Sequence, residues 1–143
     1  MAVKSAKSGE LDICCLAGRA VSGWVRALVE LRLVEWGLGG VADEVLLVVG
    51  ELVANAVEST PGREIRVRFT RADAGVVFAV WDSSERIPVV RAVVDDVTPD
   101  PCALEPGHEE GGRGLQIVRA LASEHGVRAT EPVGKWVWAA VRC

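Results

Sequence analysis

The sequence predicts an α/β two-layer sandwich: a mixed, largely antiparallel sheet with helices packed on one face. Three observations predict it. Segments with strand character come in adjacent pairs joined by short turns, and the helical segments are amphipathic, each with a face to bury. The length of 143 residues suits one compact domain.

The elements follow in order. Residues 1–10 read as a flexible tail, and the domain as residues 11–143. Leu11–Leu16 reads as a short first strand. Arg19–Trp36 carries Val21, Trp24, Val25, Leu28, Leu31 and Leu33 at helical spacing, and Gly37 and Gly39-Gly40 end that helix. A second helix runs from about Val41 to Glu58, with Asp43 and Glu44 suited to its first turn and Pro61-Gly62 beyond its end. Glu64–Thr70 and Val76–Trp81 read as strands joined by a hairpin turn at Ala72–Gly75. Residues 83–110 hold Pro88, Pro99, Pro101 and Pro106 and lack periodicity, as expected of a functional loop or lid. Gly111-Gly112-Arg113-Gly114 then opens a helix from Leu115 to about His125, with Gly126 as its C-cap. Strands at Val127–Thr130 and Trp136–Val141, with a turn at Pro132–Gly134, complete the chain.

Composition narrows the function. Half of the residues are hydrophobic and a quarter charged, with 16 basic against 20 acidic residues for a net charge of −4. The arginines are scattered, so neither nucleic acid nor an anionic membrane is the expected main partner. Met1–Glu10 is polar and Val45–Val49 is too short to span a bilayer, so no membrane role and a cytoplasmic location are expected. Cys14, Cys15, Cys102 and Cys143 form no CxxC pair, and Cys14 and Cys15 would face opposite sides of a strand. Buried thiols without a metal are the expectation.

Chemistry enters on the second helix. At about 100° per residue, Glu44, Glu51, Asn55 and Glu58 fall in a stripe about 60° wide. Val45, Val49, Leu52, Val53, Ala56 and Val57 form the opposite apolar arc. A carboxylate at Glu51 can take a proton from a hydroxyl or water. The amide oxygen of Asn55 is a hard ligand suited to Mg²⁺. The same stripe could be only a solvated face. Asn55 is an uncommon mid-helix residue, which asks for a reason.

Asp82 closes the apolar strand Val76–Trp81. Such a residue either forms a turn, accepting from the backbone of Ser83 or Ser84, or lies at a pocket floor and accepts from an exocyclic amine. Gly112 and Gly114, at a helix start, would let backbone N–H groups approach a phosphate. Neither the dinucleotide fingerprint nor a Walker A motif is present, since Gly134-Lys135 leads into a strand.

Taken in this order, Glu51-Leu52-Val53-Ala54-Asn55-Ala56-Val57, Asp82-Ser83-Ser84 with Pro88, Gly112-Arg113-Gly114-Leu115 and Gly134-Lys135-Trp136-Val137-Trp138-Ala139 resemble the motifs of the GHKL (Bergerat-fold) ATPases. Within these the chain is most similar to stand-alone anti-sigma factor serine kinases, over about Ala17 to Val141. The resemblance implies ATP and Mg²⁺ as cofactors, with Asn55 holding the metal and Glu51 as general base. It implies Asp82 accepting from adenine, and the loop of Gly112, Arg113, Gly114 and Leu115 closing on the phosphates. Residues 83–110 would be the ATP lid. The implied partners are a sigma factor and an anti-anti-sigma (STAS-type) protein phosphorylated on serine, and a homodimer is usual among relatives.

Three departures bear on activity. Asp82-Ser83-Ser84 lacks the glycines of the first glycine box. Glu110 stands where some kinases carry an Arg, and a carboxylate there would repel phosphate unless turned away. Trp136 stands where relatives often have a small hydroxyl residue near the nucleotide. The alternative is therefore a non-catalytic, nucleotide-gated protein-binding module. Remaining features have structural readings: His125 at a helix C-terminus, His108 in a solvated loop, Asp95-Asp96 as surface acidity, and the five tryptophans mostly in the core.

Overall fold

The computed structural model describes residues 2–5, 9–85 and 116–143. It is a two-layer α/β fold: one sheet carries helices against one of its faces. The strands are β1 (Ala2–Ser5), β2 (Leu11–Leu16), β3 (Glu64–Ala72), β4 (Gly75–Asp82), β5 (Glu124–Ala129) and β6 (Lys135–Arg142), in the spatial order β1-β2-β3-β4-β6-β5. Every described pairing is antiparallel.

Alternation along the strands sorts the two faces. Leu11, Ile13 and Cys15 of β2, Ile65, Val67 and Phe69 of β3, Val76, Phe78 and Val80 of β4, and Val137, Ala139 and Val141 of β6 are all buried beneath the helices. Helix α1 (Val21–Glu35) buries Val21, Val25, Val29 and Leu33, one residue per turn. Helix α2 (Ala42–Ser59) buries Val45, Leu46, Val48, Val49, Leu52, Val53 and Ala56 and lies over β4 and β6. A third helix, α3 (residues 116–121), adds Val118 to the same core. Phe69 stacks on Trp36, the residue that follows α1, at 5.2 Å and is fully enclosed; burying such a side chain contributes about 3 kcal/mol.

Four expectations are corrected. The tail expected over residues 1–10 contains β1, which pairs with β2 from Ala2↔Cys14 to Ser5↔Leu11 and satisfies backbone groups that an edge would leave open. The third helix ends at residue 121, not near His125, and His125 and Gly126 belong to β5. Gly126 is opposite Trp138, and a Cβ there would come within 2.9 Å of the Trp138 indole nitrogen. Its glycine makes room for that ring rather than capping a helix. Trp24 and Trp36 pack against the core, but Trp81, Trp136 and Trp138 lie on the open face of the sheet. Of the described thiols only Cys15 is buried; Cys14 is half-buried and Cys143 exposed.

Candidate functional site

The functional side chains come from the helical side of the sheet. After α2, residues 60–63 connect directly to β3, whose first residues lie beside the end of β4, where Arg66 is opposite Trp81. The second half of α2, with Glu51 and Asn55, therefore lies at the same end of the layers as Asp82. Backbone bonds from Ala17 N to Arg63 O and from Gly62 N to Ala17 O fix that connection.

The polar stripe of α2 is not uniformly solvated. Glu44 and Glu58 are exposed, whereas Glu51 and Asn55 are half-buried. Burial raises the Glu51 carboxyl above the ordinary carboxylate range, because desolvation penalises its charged form. A carboxylate shifted in that direction is a better proton acceptor near neutral pH. Among the described residues neither Glu51 nor the Asn55 amide makes a side-chain hydrogen bond; Asn55 is engaged only through its backbone carbonyl, by Ser59 Oγ at 2.8 Å. Two unspent polar groups one turn apart suit binding and proton transfer.

Asp82 is on the core face of β4 and is buried. The turn reading offered by the sequence holds. Its Oδ1 accepts from Ser84 N at 2.9 Å, which makes the turn. Its Oδ2 is enclosed and has no partner among the described residues. An acceptor left unpaired in such a place costs about 1–3 kcal/mol, and an N–H donor brought to it would offset that cost.

Lys135, given no role from sequence, completes the group. Its Nζ donates to Asp82 Oδ1 at 2.7 Å and lies 3.4 Å from Ser84 O, and the residue is 1% exposed. Gly134 makes this approach possible. At φ +90° it takes a conformation L side chains rarely adopt, and a Cβ there would lie 2.6 Å from both Asp82 O and the Trp81 ring. The signal was present in the sequence as the alternation Lys135, Val137, Ala139, Val141, which sets Lys135 on the core face. Trp136 and Trp138, equally apolar, obscured it.

Trp136, expected to border the nucleotide, projects to the opposite face of the sheet, where the Arg68 guanidinium lies 5.6 Å from its ring. Gly112, Arg113, Gly114 and Leu115, together with Glu110 and residues 86–110 of the lid expected over 83–110, lie outside the described residues. So do Cys102, His108 and Asp95-Asp96. No cluster of metal-binding side chains occurs among the described residues, and none of the described helices is long and apolar enough to cross a membrane.

The donors fit a magnesium nucleotide: an uncommitted amide on α2 for the metal, and an enclosed carboxylate oxygen for a base amine. In sequence, the model of the histidine kinase-like ATPase domain family matches residues 17–141. No curated protein matches the chain.

Proposed function

The chain belongs to the histidine kinase-like ATPase domain family, of the GHKL type, and on that premise we propose that it is an ATP-dependent serine kinase that phosphorylates an anti-anti-sigma (STAS-type) protein and otherwise captures a sigma factor. The observation that carries the reading is the half-buried Glu51, raised in pKa by desolvation, one helical turn from an uncommitted Asn55.

Bound MgATP supplies the transferable phosphoryl group and the metal that offsets its charge. Asn55 would hold Mg²⁺ through its side-chain oxygen. Asp82 would accept from the amino group of adenine at Oδ2. Glu51 would take the proton from the substrate serine hydroxyl as its oxygen attacks, and the low polarity around Glu51 favours its holding that proton. Cytoplasmic location and a homodimer belong to the same reading. The non-catalytic alternative loses one of its supports, because Trp136 faces away from Asp82 and Lys135.

The test is phosphate transfer from labelled MgATP to the serine of the cognate STAS-type protein. Transfer by the wild type and its loss in Glu51→Gln, with MgATP affinity retained, is the expected result. Transfer that survives Glu51→Gln would remove Glu51 as the base. MgATP binding without any transfer would leave the nucleotide-gated module.

A further inference from the structure

The ion pair beneath Asp82 bears on which base the site accepts, an inference that rests on the nucleotide reading above. A carboxylate offers two oxygens and about four lone-pair positions. Here Oδ1 is occupied twice, by Lys135 Nζ at 2.7 Å and by Ser84 N at 2.9 Å. Oδ2 alone remains, enclosed and without a partner among the described residues. The two side chains are 1–2% exposed, so water does not compete for either of them. The carboxylate is held in one orientation, since turning it would break both bonds to Oδ1.

We propose that Lys135 is the positioning residue that sets nucleobase selectivity. By pairing with Asp82 through Oδ1 it fixes the carboxylate and presents Oδ2 as the single open acceptor. A 6-aminopurine offers an N–H there. A 6-oxopurine offers a second acceptor, and two acceptors facing each other in an enclosed site repel. Without the ammonium, the carboxylate is free to turn, so no fixed acceptor meets a 6-amino group or opposes a 6-oxo group, and the preference narrows. Lys135 therefore acts through Asp82 and needs no contact with the base.

The experiment is calorimetric titration of the full chain with MgATP and MgITP, which differ at position 6 of the purine. The wild type is expected to prefer MgATP by at least about 100-fold. In Lys135→Met the ratio of the two dissociation constants falls below about tenfold, and in Lys135→Arg, which keeps the charge, the preference persists. Should Lys135→Met not fold by circular dichroism, Lys135→Gln removes the charge while keeping a polar side chain and carries the same expectation. A purely structural lysine would weaken both nucleotides in parallel and leave the ratio unchanged, which would overturn the proposal. Equal affinity of the wild type for the two nucleotides would overturn it as well, while leaving ATP binding itself intact. Failure of the wild type to bind either nucleotide would overturn the underlying reading together with this one.

Discussion

Lys135 and Trp136 are neighbours in β6 and serve opposite faces of the sheet: the lysine reaches Asp82 at 2.7 Å, and the tryptophan lies 5.6 Å from the Arg68 guanidinium. A one-residue slip in register would exchange them. This parity places Trp136 away from the nucleotide side. Trp136→Thr is accordingly expected to leave MgATP affinity within about twofold, since a contact worth about 1.4 kcal/mol would change it tenfold. A tenfold change on titration would mean that the register assigned to β6 is wrong.

The buried pair governs stability as well. Removing one member leaves an uncompensated charge, so Asp82→Ala is expected to lower unfolding free energy by about 3–5 kcal/mol. The double variant Asp82→Leu/Lys135→Met replaces both charges by apolar groups and should lose clearly less than the single variant. Urea denaturation measures both. Additive losses would show that the two side chains do not act as a pair.

Asn55→Ala separates binding from folding. Alanine is the better helix former by up to about 0.7 kcal/mol, so the variant should be at least as stable as the wild type. Its MgATP affinity should nonetheless fall by about 10- to 100-fold. Chelation of magnesium should bring wild type and variant to the same affinity. A difference that persists in chelator would assign Asn55 some role other than holding the metal.

Glu51 links function to pH. Its carboxyl is raised by burial, so the folded chain holds that proton more tightly than the unfolded chain. The stability this contributes is complete below the unfolded value, about pH 4, and is lost as pH rises through the raised folded value. Glu51→Gln has no such loss. Its melting temperature should match the wild type at low pH and exceed it modestly at pH 7–8. An offset that is flat across this range would show that Glu51 is not the group responsible.

Gly134→Ala tests the tight turn before β6. The added Cβ meets Asp82 O and the Trp81 ring at 2.6 Å, and the backbone there is at φ +90°. A loss of about 2 kcal/mol or more is expected, with weaker MgATP binding because Lys135 and Asp82 are displaced together. A variant with wild-type stability and affinity would contradict the close approach.

The legible part of the fold was the part with one periodicity and one buried face. Leu11–Leu16 and α2 follow directly from their patterns, and the spacing of Glu51 and Asn55 put both on one stripe. What the pattern could not separate was the half-buried end of that stripe, Glu51 and Asn55, from its exposed residues Glu44 and Glu58, because this depends on what packs beside the helix. Lys135 was missed because β6 is apolar on both faces, so alternation had no polar side to mark. Sequence alone suggests a cap at Gly126 because a missing side chain says nothing about which ring fills its place. β1 was missed because Ala2–Ser5 is held by backbone pairing, which leaves little trace in side-chain pattern.

The distribution of indoles gives this chain an intrinsic optical gauge. With five tryptophans, two weakly emitting phenylalanines and no tyrosine, its near-ultraviolet emission is dominated by indole. Trp24 and Trp36 emit from the helical side, and Trp81, Trp136 and Trp138 from the other. Trp81 is joined covalently to Asp82, and its Nε1 donates to Thr130 Oγ1 at 2.9 Å. Replacing Trp136 and Trp138 by phenylalanine would leave Trp81 as the only open-face emitter, so that a change at the carboxylate beside it is read as a shift in colour without any attached dye.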